Sequence, residues 1–348
     1  MRDAVLKAPE RQGMFATRFD RSIGSWRRSG CPGGSDYYSS EECSDQMSWL
    51  LRMHQDLEPH PETLRRAQRY VDFLTDHRMR SGAVPTWYDA WMRPEAALRS
   101  AASTAVSALC TMRLARITGL KKHLAAAAAM ARFVTTEAIA ERMYLDSTCI
   151  SADGFVSLRC ADPHTGMHAE SSQAMLWCAD MCFEAYALFG DKAYLRTGVD
   201  VLDRLCLMQS VGEKSWMQAV HGVLARGNTD TRVAPVLTAD FAYCAMRYGA
   251  ATGSAEYCER AAAALRAAQV CAGRGSEEAR VHAIAAVMEK EFGSLYVSLA
   301  EEQGADPKKT FVIGGSQGGW TVLRAFSNHN LSGEVKSLLV GGASLYPN

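Results

Sequence analysis

Three aspartates in long connecting segments are of the residue type that acid–base catalysis requires. Asp89 follows the rigid turn 85–88, Asp162 precedes a proline, and Asp230 stands two residues before Arg232. Two carboxyl groups on either side of a scissile acetal bond can act as an acid and as a base or nucleophile. Aspartate also starts turns, caps helices and forms surface ion pairs, so each position has a structural alternative. We take Asp89, Asp162 and Asp230 as the candidate catalytic residues.

Aromatic and polar side chains accompany these aspartates in the same segments and in the first 40 residues. Tryptophan and tyrosine combine a flat apolar ring with a polar group at one edge, which suits a ligand that is partly apolar. Glu170 lies in the first turn of a predicted helix, where the helix dipole stabilises a carboxylate in any case. The candidate substrate-binding residues are Trp26, Tyr37, Tyr38, Trp87, His164, His168, Glu170, Asn228 and Arg232.

Asp162, His164 and His168 also raise the question of a metal site. Their spacing, D-x-H-x-x-x-H, is not a strong zinc signature, and no matching further ligands stand out in the sequence. We therefore expect no metal and no other cofactor. The two histidines keep three interpretations, which are hydrogen bonding to a ligand, base catalysis, and loop residues without a special role.

The segment 314–318 reads Gly-Gly-Ser-Gln-Gly and matches the G-x-S-x-G motif, with Ser316 in the position of a nucleophile. It follows the apolar run 310–313, so this region resembles the nucleophile turn of α/β-hydrolases. The residues after Ser316 contain one histidine, His329, and no aspartate, although the triad needs an acid and a base after the serine in this family. A Gly-rich turn is the structural alternative, and an esterase centred on Ser316 is a secondary hypothesis.

Helical periodicity accounts for most of the chain between positions 41 and 271. Apolar residues recur with the spacing of one helix face, as in Leu64, Ala67, Val71 and Leu74. The pattern predicts eight helices, which form four hairpins, at about 41–55, 61–76, 97–117, 121–137, 169–188, 191–208, 235–251 and 254–271.

Three of the predicted turns share one pattern, at 118–124, 189–195 and 252–258. Each has a glycine that is followed four residues later by an aromatic residue or histidine. The glycine supplies the left-handed conformation that ends the first helix of a hairpin, and we expect the ring to pack at the start of the return helix.

The connections between the hairpins are much longer, at about 77–96, 139–168 and 209–234. Loops of this length are uncommon unless they have a function. All of them fall at the end of the helical array that is opposite the glycine turns. We therefore expect the functional site at the long-loop end.

The repeated turn, together with the segments 82–89, 162–166 and 227–230, resembles the six-hairpin glycosidases of the α/α-toroid fold. The resemblance covers roughly residues 40–272. It implies a mainly α-helical toroid, complete or partial, whose long loops bind a carbohydrate. We recognise four of the six hairpins. Helical solenoids also stack helix pairs, so a non-catalytic helical-repeat binding module is an alternative.

The last part of the chain differs from the rest. A helix at about 278–291 is predicted, followed by short strands at 294–299, 310–313, 320–326 and 335–340, because β-branched and apolar runs alternate there with turn residues. The predicted organisation is a loop-rich segment at 1–40, the toroid domain at 41–277, and a C-terminal helix with a small β-rich tail at 278–348.

Composition narrows the classes of partner. The 38 basic and 38 acidic side chains balance, which argues against a nucleic-acid-binding surface. We see no apolar run long enough for a membrane span and no signal peptide, so we expect a soluble, cytoplasmic chain; a chain without its original leader would look the same. The eleven cysteines are odd in number and lie largely in helical patterns, which predicts buried reduced thiols.

Together these observations favour a carbohydrate-active enzyme that cleaves a glycosidic bond with paired carboxylates. A polysaccharide lyase or a sugar epimerase on the same toroid is the nearest alternative. The expected partner is a carbohydrate substrate, with neither nucleic acid nor membrane.

Overall fold

The computed structural model describes residues 2–30, 36–95, 101–146, 169–210, 221–272, 276–302, 311–315 and 337–341. The helices are α1 (Arg2–Lys7), α2 (Ser40–Asp56), α3 (Pro61–His77), α4 (Ala101–Thr118), α5 (Lys121–Phe133), α6 (Ser172–Phe189), α7 (Lys192–Cys206), α8 (Pro235–Thr252), α9 (Ala255–Cys271) and α10 (Ser276–Glu302). A π-helical turn, Val134–Ala138, extends α5. The eight helices predicted from periodicity are therefore confirmed to within a few residues.

Short strands accompany the helices. Antiparallel pairs join β1 (Glu10–Arg11) to β2 (Met14–Phe15) and β3 (Arg18–Asp20) to β4 (Ser25–Arg27), and β5 (Ser29–Gly30), β6 (Asp36–Ser39), β7 (Trp87–Tyr88) and β8 (Pro94–Glu95) form one antiparallel sheet. In the tail, β9 (Phe311–Gly315) and β10 (Ser337–Gly341) pair in parallel. The segment 1–40 thus contains a helix and several strands in addition to its turns.

The helix ends follow from local sequence. Ser39, Ser171 and Ser254 cap α2, α6 and α9, and each side chain accepts a hydrogen bond from a backbone N–H in the first turn. Gly119, Gly190 and Gly253 follow α4, α6 and α8 with φ values of 68°, 75° and 73°. The left-handed glycine of the repeated turn is therefore confirmed.

The helices form two layers around a common axis. The inner helices α2, α4, α6, α8 and α10 pack side by side in that order, and α10 also contacts α2, which closes the ring. The outer helices α3, α5, α7 and α9 each pack antiparallel to the inner helix that precedes them. This arrangement is the predicted α/α toroid, with four hairpins and a fifth inner helix.

The inner helices begin at one end of the ring. The Ser40 hydroxyl at the start of α2 donates to Pro85 O at 2.7 Å, and Ser103 in the first turn of α4 donates to Val84 O at 3.2 Å. At the start of α6, the Ser172 N–H donates to Arg226 O at 2.9 Å. The described parts of the long connections therefore lie together at this end, as expected.

The rings that follow the glycines pack as predicted. His123 is fully buried, and its Nε2 lies 2.7 Å from Asp72 Oδ1 on α3. Tyr257 is buried, and its hydroxyl donates to Asp203 on α7. In both cases the ring ties the start of a return helix to the outer helix of the preceding hairpin.

One expectation for the C-terminal part needs correction. The segment 294–299, predicted as a strand, lies inside α10, which continues without interruption to Glu302. A short apolar run does not by itself distinguish a strand from a buried helix, and in this segment the chain forms a helix. The strands predicted at 310–313 and 335–340 are present as β9 and β10, and 320–326 lies outside the described residues.

Cysteines and hydropathy agree with a packed helical protein. The described cysteines are free thiols, and all of them except the half-buried Cys271 are buried. Among the helices that the structure describes, none combines the length and the apolar composition that a membrane span requires.

Gly198 on α7 lies directly against the side chains of Tyr248 and Cys182. A Cβ added at this position would collide with the Tyr248 hydroxyl and lie 2.9 Å from Cys182 Cβ. We predict that Gly198→Ala lowers the free energy of unfolding by about 1–3 kcal/mol, although alanine favours helices, because the interior has no space for the methyl group. Urea denaturation measures the change. In the Tyr248→Phe background, which removes the clashing oxygen, the same substitution should cost less; an equal cost in both backgrounds would refute the explanation.

Candidate functional site

A cavity of about 760 Å³ lies at the end of the ring where the inner helices begin. We call it the rim cavity. The first turns of α2, α6, α8 and α10 reach it, and their N-terminal dipoles favour negative charge there. Its charged, amide and aromatic lining consists of Glu41, Glu42, Asp45, Asp146, Gln173, Trp177, Arg226, Glu277 and Arg280.

Carboxylates occupy two sides of the rim cavity. Glu41 and Asp45 are one turn apart on α2, so they share one face of that helix. Asp146 accepts a hydrogen bond from the hydroxyl of Ser171, the residue that caps α6. Because α4 separates α2 from α6 in the ring, Asp146 lies across the cavity from the α2 carboxylates.

Gln173 and Trp177 on α6 complete the wall beside Asp146. They also lie one helical turn apart. The Gln173 Nε2 has no hydrogen-bond acceptor among the described residues, and the Trp177 side chain adds a flat ring to the lining. An amide donor next to an aromatic ring suits a ligand that offers hydroxyl groups and an apolar face.

Arg280 on α10 binds two carboxyl groups, that of Asp45, which lines the cavity, and that of Asp240, which does not. Its guanidinium donates to both oxygens of Asp45, at 2.6 and 2.8 Å, and to Asp240 Oδ2 at 2.9 Å. Asp240 is buried, and its burial raises its pKa to about 7; the charges of Asp45 and Asp180 add to the increase, while Arg280 opposes it. The site therefore pairs an arginine-bound carboxylate with a carboxyl group that holds a proton near neutral pH.

A second cavity, of about 950 Å³, adjoins the first. Both are lined by Val236, Glu277 and Arg280, so the two spaces form one groove. The lining of the second cavity includes Trp26 and Trp49. Aromatic side chains therefore accompany the groove beyond the rim cavity.

Asp89 lies in a self-contained turn and does not line the rim cavity. Its Oδ1 accepts from the backbone N–H groups of Trp91 and Arg93, at 2.8 and 2.9 Å, and its Oδ2 accepts from Arg93 Nε at 2.7 Å. This is the turn-forming role that the sequence offered as the alternative. A catalytic role for Asp89 stays a prediction that no contact of the structure supports.

Asp230 forms the predicted ion pair with Arg232, with Oδ1–Nε at 2.9 Å and Oδ2–Nη2 at 2.6 Å. The hydrogen bonds from the side chain and the backbone of Arg232 lower the pKa of Asp230 to about 2. The Arg232 side chain is 76% exposed, so this pair faces solvent. Neither residue lines the rim cavity.

Glu170 and Asn228 hold two of the connecting segments together. The Glu170 N–H donates to Asn228 Oδ1 at 2.8 Å, and the Asn228 N–H donates to Glu170 O at 3.2 Å. The Glu170 carboxylate accepts from Arg204 Nε on α7, at 3.0 Å. These contacts stabilise the rim, and neither side chain lines the rim cavity.

The predicted aromatic residues have mixed positions. Trp87 is 1% exposed in β7, and Tyr38 is buried in the neighbouring strand β6, where Tyr37 is half-buried. These three belong to the N-terminal sheet. Trp26 lines the second cavity and packs edge-on against Phe19, so it is the predicted binding residue that reaches the groove.

Asp162, His164, His168 and Ser316 lie outside the described residues, so their predicted roles stay predictions. Within the described ranges, no group of three or more His, Cys, Asp or Glu side chains is arranged to hold a metal ion.

The lining of the rim cavity comes largely from inner helices, whereas most of the predicted site residues lie in the connecting segments. A signal for it exists: α2 carries Glu41 and Asp45, α6 carries Gln173 and Trp177, and α10 carries Glu277 and Arg280, each pair about one turn apart. Such a stripe on an otherwise apolar helix indicates a face that lines a polar interior.

Comparison with solved structures finds proteins of the α/α-toroid fold. The chain is similar to a glycoside hydrolase family 76 mannosidase from Bacteroides thetaiotaomicron, at 11% identity over 85% of this chain and 83% of that chain, with a TM-score of 0.52. It is similar to a D-mannose isomerase at 10% identity, over 79% of this chain and 78% of that chain, with a TM-score of 0.53. No protein-family model and no curated protein matches. The chain has the fold of the six-hairpin toroids, as its repeated turn indicated.

The raised pKa of Asp240 predicts a pH dependence of stability. The folded chain binds this proton up to about pH 7, whereas the unfolded chain releases it near its ordinary pKa of about 4, so ionising Asp240 destabilises the fold as pH rises through this window. We predict that the free energy of unfolding of the native sequence falls relative to that of Asp240→Asn by up to about 1.4 kcal/mol per pH unit.

Urea denaturation between about pH 5 and pH 7 measures this difference. Asp230→Asn is the matched control. The pKa of Asp230 is lowered to about 2, so this carboxylate is ionised in the folded and the unfolded chain over this pH range. Its removal can therefore change the free energy of unfolding, but not the slope of that free energy against pH. Equal slopes of the free energy of unfolding against pH for the native chain and Asp240→Asn would contradict the raised pKa of Asp240.

Proposed function

We propose that the chain is a carbohydrate-active enzyme that cleaves a glycosidic bond in the rim cavity. The observation that carries the proposal is the placement of carboxylates on two facing sides of one cavity, with Trp177 beside them. Glycosidic cleavage needs an acid on one side of the bond and a base or nucleophile on the other. The size of the cavity and its mixture of an aromatic ring with polar groups suit a sugar unit.

Asp45 is our candidate for the ionised carboxylate. Two hydrogen bonds from Arg280 compensate its charge and fix its orientation, which a base or nucleophile requires. Asp146, on the facing side, is our candidate for the acid that protonates the leaving oxygen, and Glu41 is the second candidate for that role. Asp240 binds the same arginine from below, so we assign it to positioning Arg280 and Asp45.

Lyases and epimerases are the nearest alternative, because both can use histidine or tyrosine as a base. The described lining of the rim cavity contains neither residue type, which favours chemistry by carboxylates. The products distinguish the reactions, since hydrolysis creates a new reducing end, elimination creates an unsaturated sugar, and epimerisation leaves the chain length unchanged.

Mannose-containing oligosaccharides are the first substrates to test. The two similar structures are a mannosidase and a mannose isomerase by name, which makes mannosides a reasonable start and no more than that. An esterase at Ser316 would instead be labelled there by a fluorophosphonate probe. A binding module would retain the sugar without altering it.

We predict that Asp45→Asn and Asp146→Asn each lower kcat by at least about 100-fold, because each removes a group that transfers a proton or attacks carbon. Reducing-end release from a panel of mannosides and glucosides measures the effect. Asp89→Asn and Asp230→Asn are the matched controls, since these aspartates form turns outside the cavity. Both controls should stay within about threefold of the native rate.

Circular dichroism would first confirm that all four variants fold. Loss of turnover in the Asp89 or Asp230 variants, with activity intact in the Asp45 and Asp146 variants, would refute the proposal. It would indicate instead that Asp89 or Asp230 is the catalytic residue. Product with an unsaturated ring would replace hydrolysis by elimination.

A further inference from the structure

A separate cavity, of about 230 Å³, lies at the opposite end of the ring, where the inner helices end. We call it the closed-end cavity. Cationic side chains dominate its lining: Arg52 comes from α2, Arg113 and Arg116 from α4, Arg247 from α8 and Lys290 from α10. The acidic groups that line it are Asp56, Glu184 and Glu291. Cations therefore exceed acids by five to three.

Glu184 is already saturated by this cluster. Its Oε1 accepts from Arg247 Nη2 at 2.7 Å and from Arg52 Nη2 at 3.2 Å, and Arg116 donates to its Oε2. Asp180, next to the cavity, accepts from Arg113 Nη2 at 2.8 Å and from Arg247. Counting Asp180 with the acids still leaves one positive charge in excess.

Several guanidinium donors in this cluster lack an acceptor. Arg52 is 6% exposed, and its Nε and Nη1 make no hydrogen bond; Glu291 lies 4.0 Å from Nη1, beyond hydrogen-bonding distance. Arg113 is 4% exposed, and its Nε also makes none. Buried donors without acceptors are costly, and both arginines line the cavity, so an oxyanion there that draws these side chains toward it would supply the acceptors.

The compensation of charge within the cluster is uneven. Burial and the neighbouring charges of Arg113 and Arg247 lower the pKa of Arg52 to about 9, whereas Glu184 and Asp180, against the effect of burial, raise the pKa of Arg247. Burial raises the pKa of Glu291, so this carboxyl group offers less compensation than its position suggests. The partial negative charge of the helix C-termini at this end offsets part of the positive charge of the arginines. It supplies no hydrogen-bond acceptor to Arg52 Nε, Arg52 Nη1 or Arg113 Nε.

The closed-end cavity is also accessible. The Arg116 side chain is 32% exposed and that of Glu291 is 42% exposed, so the cluster is open to solvent. The volume admits a small tetrahedral oxyanion with several arginine contacts.

We propose that the closed-end cavity is an anion site that binds a phosphate group, either as inorganic phosphate or as a phosphate monoester, through Arg52, Arg113 and Arg116. The arginines would donate to the phosphate oxygens in the planar geometry that guanidinium groups favour. The site is separate from the rim cavity, and no residue lines both. Its occupancy would fix the closed ends of α2, α4 and α8 relative to one another.

Isothermal titration calorimetry with inorganic phosphate tests the proposal, with sodium chloride at equal ionic strength as the reference. We expect one saturable site per chain, and we expect Arg116→Gln to weaken binding by about tenfold or more. Glu184 keeps Arg52 and Arg247 as partners in this variant, so the fold should be retained. Arg65→Gln is the matched control, because Arg65 is 65% exposed on the outer helix α3.

Glycerol 3-phosphate, a phosphate monoester without a sugar ring, serves as the second probe. Tighter binding of this monoester than of inorganic phosphate identifies a monoester site, and the reverse order identifies a site for the free ion; both results support the proposal. Absence of saturable binding by the native chain, or equal binding by the Arg116 and Arg65 variants, would overturn it. Because binding is measured directly, the result does not depend on whether the rim cavity cleaves a sugar.

Discussion

Charge balance along the axis of the ring is the constraint on which the rest of the structure depends. The inner helices run in the same direction and place charged side chains at matching heights, where Asp45 and Asp240 share Arg280, and Asp180 and Glu184 share the arginines nearer the other end. An unpaired charge in this interior would cost several kcal/mol. The helices must therefore keep their register, and that register sets the position of the inner-helix side chains that line the rim cavity and the closed-end cavity.

Much of the fold could be predicted because its signals are local. Apolar spacing and the left-handed glycines Gly119, Gly190 and Gly253 located the hairpins, since a helix end depends on a few neighbouring residues. The continuation of α10 through 294–299 could not be predicted in this way, because a short apolar run fits a strand as well as a helix. That α10 joins the ring as a fifth inner helix is a matter of packing, which no local pattern encodes.

Of the proposed site, only the location at the long-loop end could be predicted. Asp89 and Asp230 became catalytic candidates because turn-forming and catalytic aspartates have the same local sequence. The structure adds their bonds to Arg93 and Arg232, which belong to turns, and their catalytic role stays a prediction. The proposed role of Asp45 was hidden because a half-buried aspartate is recognisable as a site residue only when its partner is known, and Arg280 lies 235 residues away in the chain. The one-turn spacing of polar residues on the inner helices was the available signal, and it requires knowing which helices face inward.

The most direct test of the central claim, that the rim cavity is the sugar site, is a crystal structure of the chain in complex with a manno-oligosaccharide. The account predicts electron density for a sugar unit in the rim cavity, in contact with Trp177 and between Asp45 and Asp146. A sugar bound beside Asp89 or Asp230, with the rim cavity empty, would contradict it.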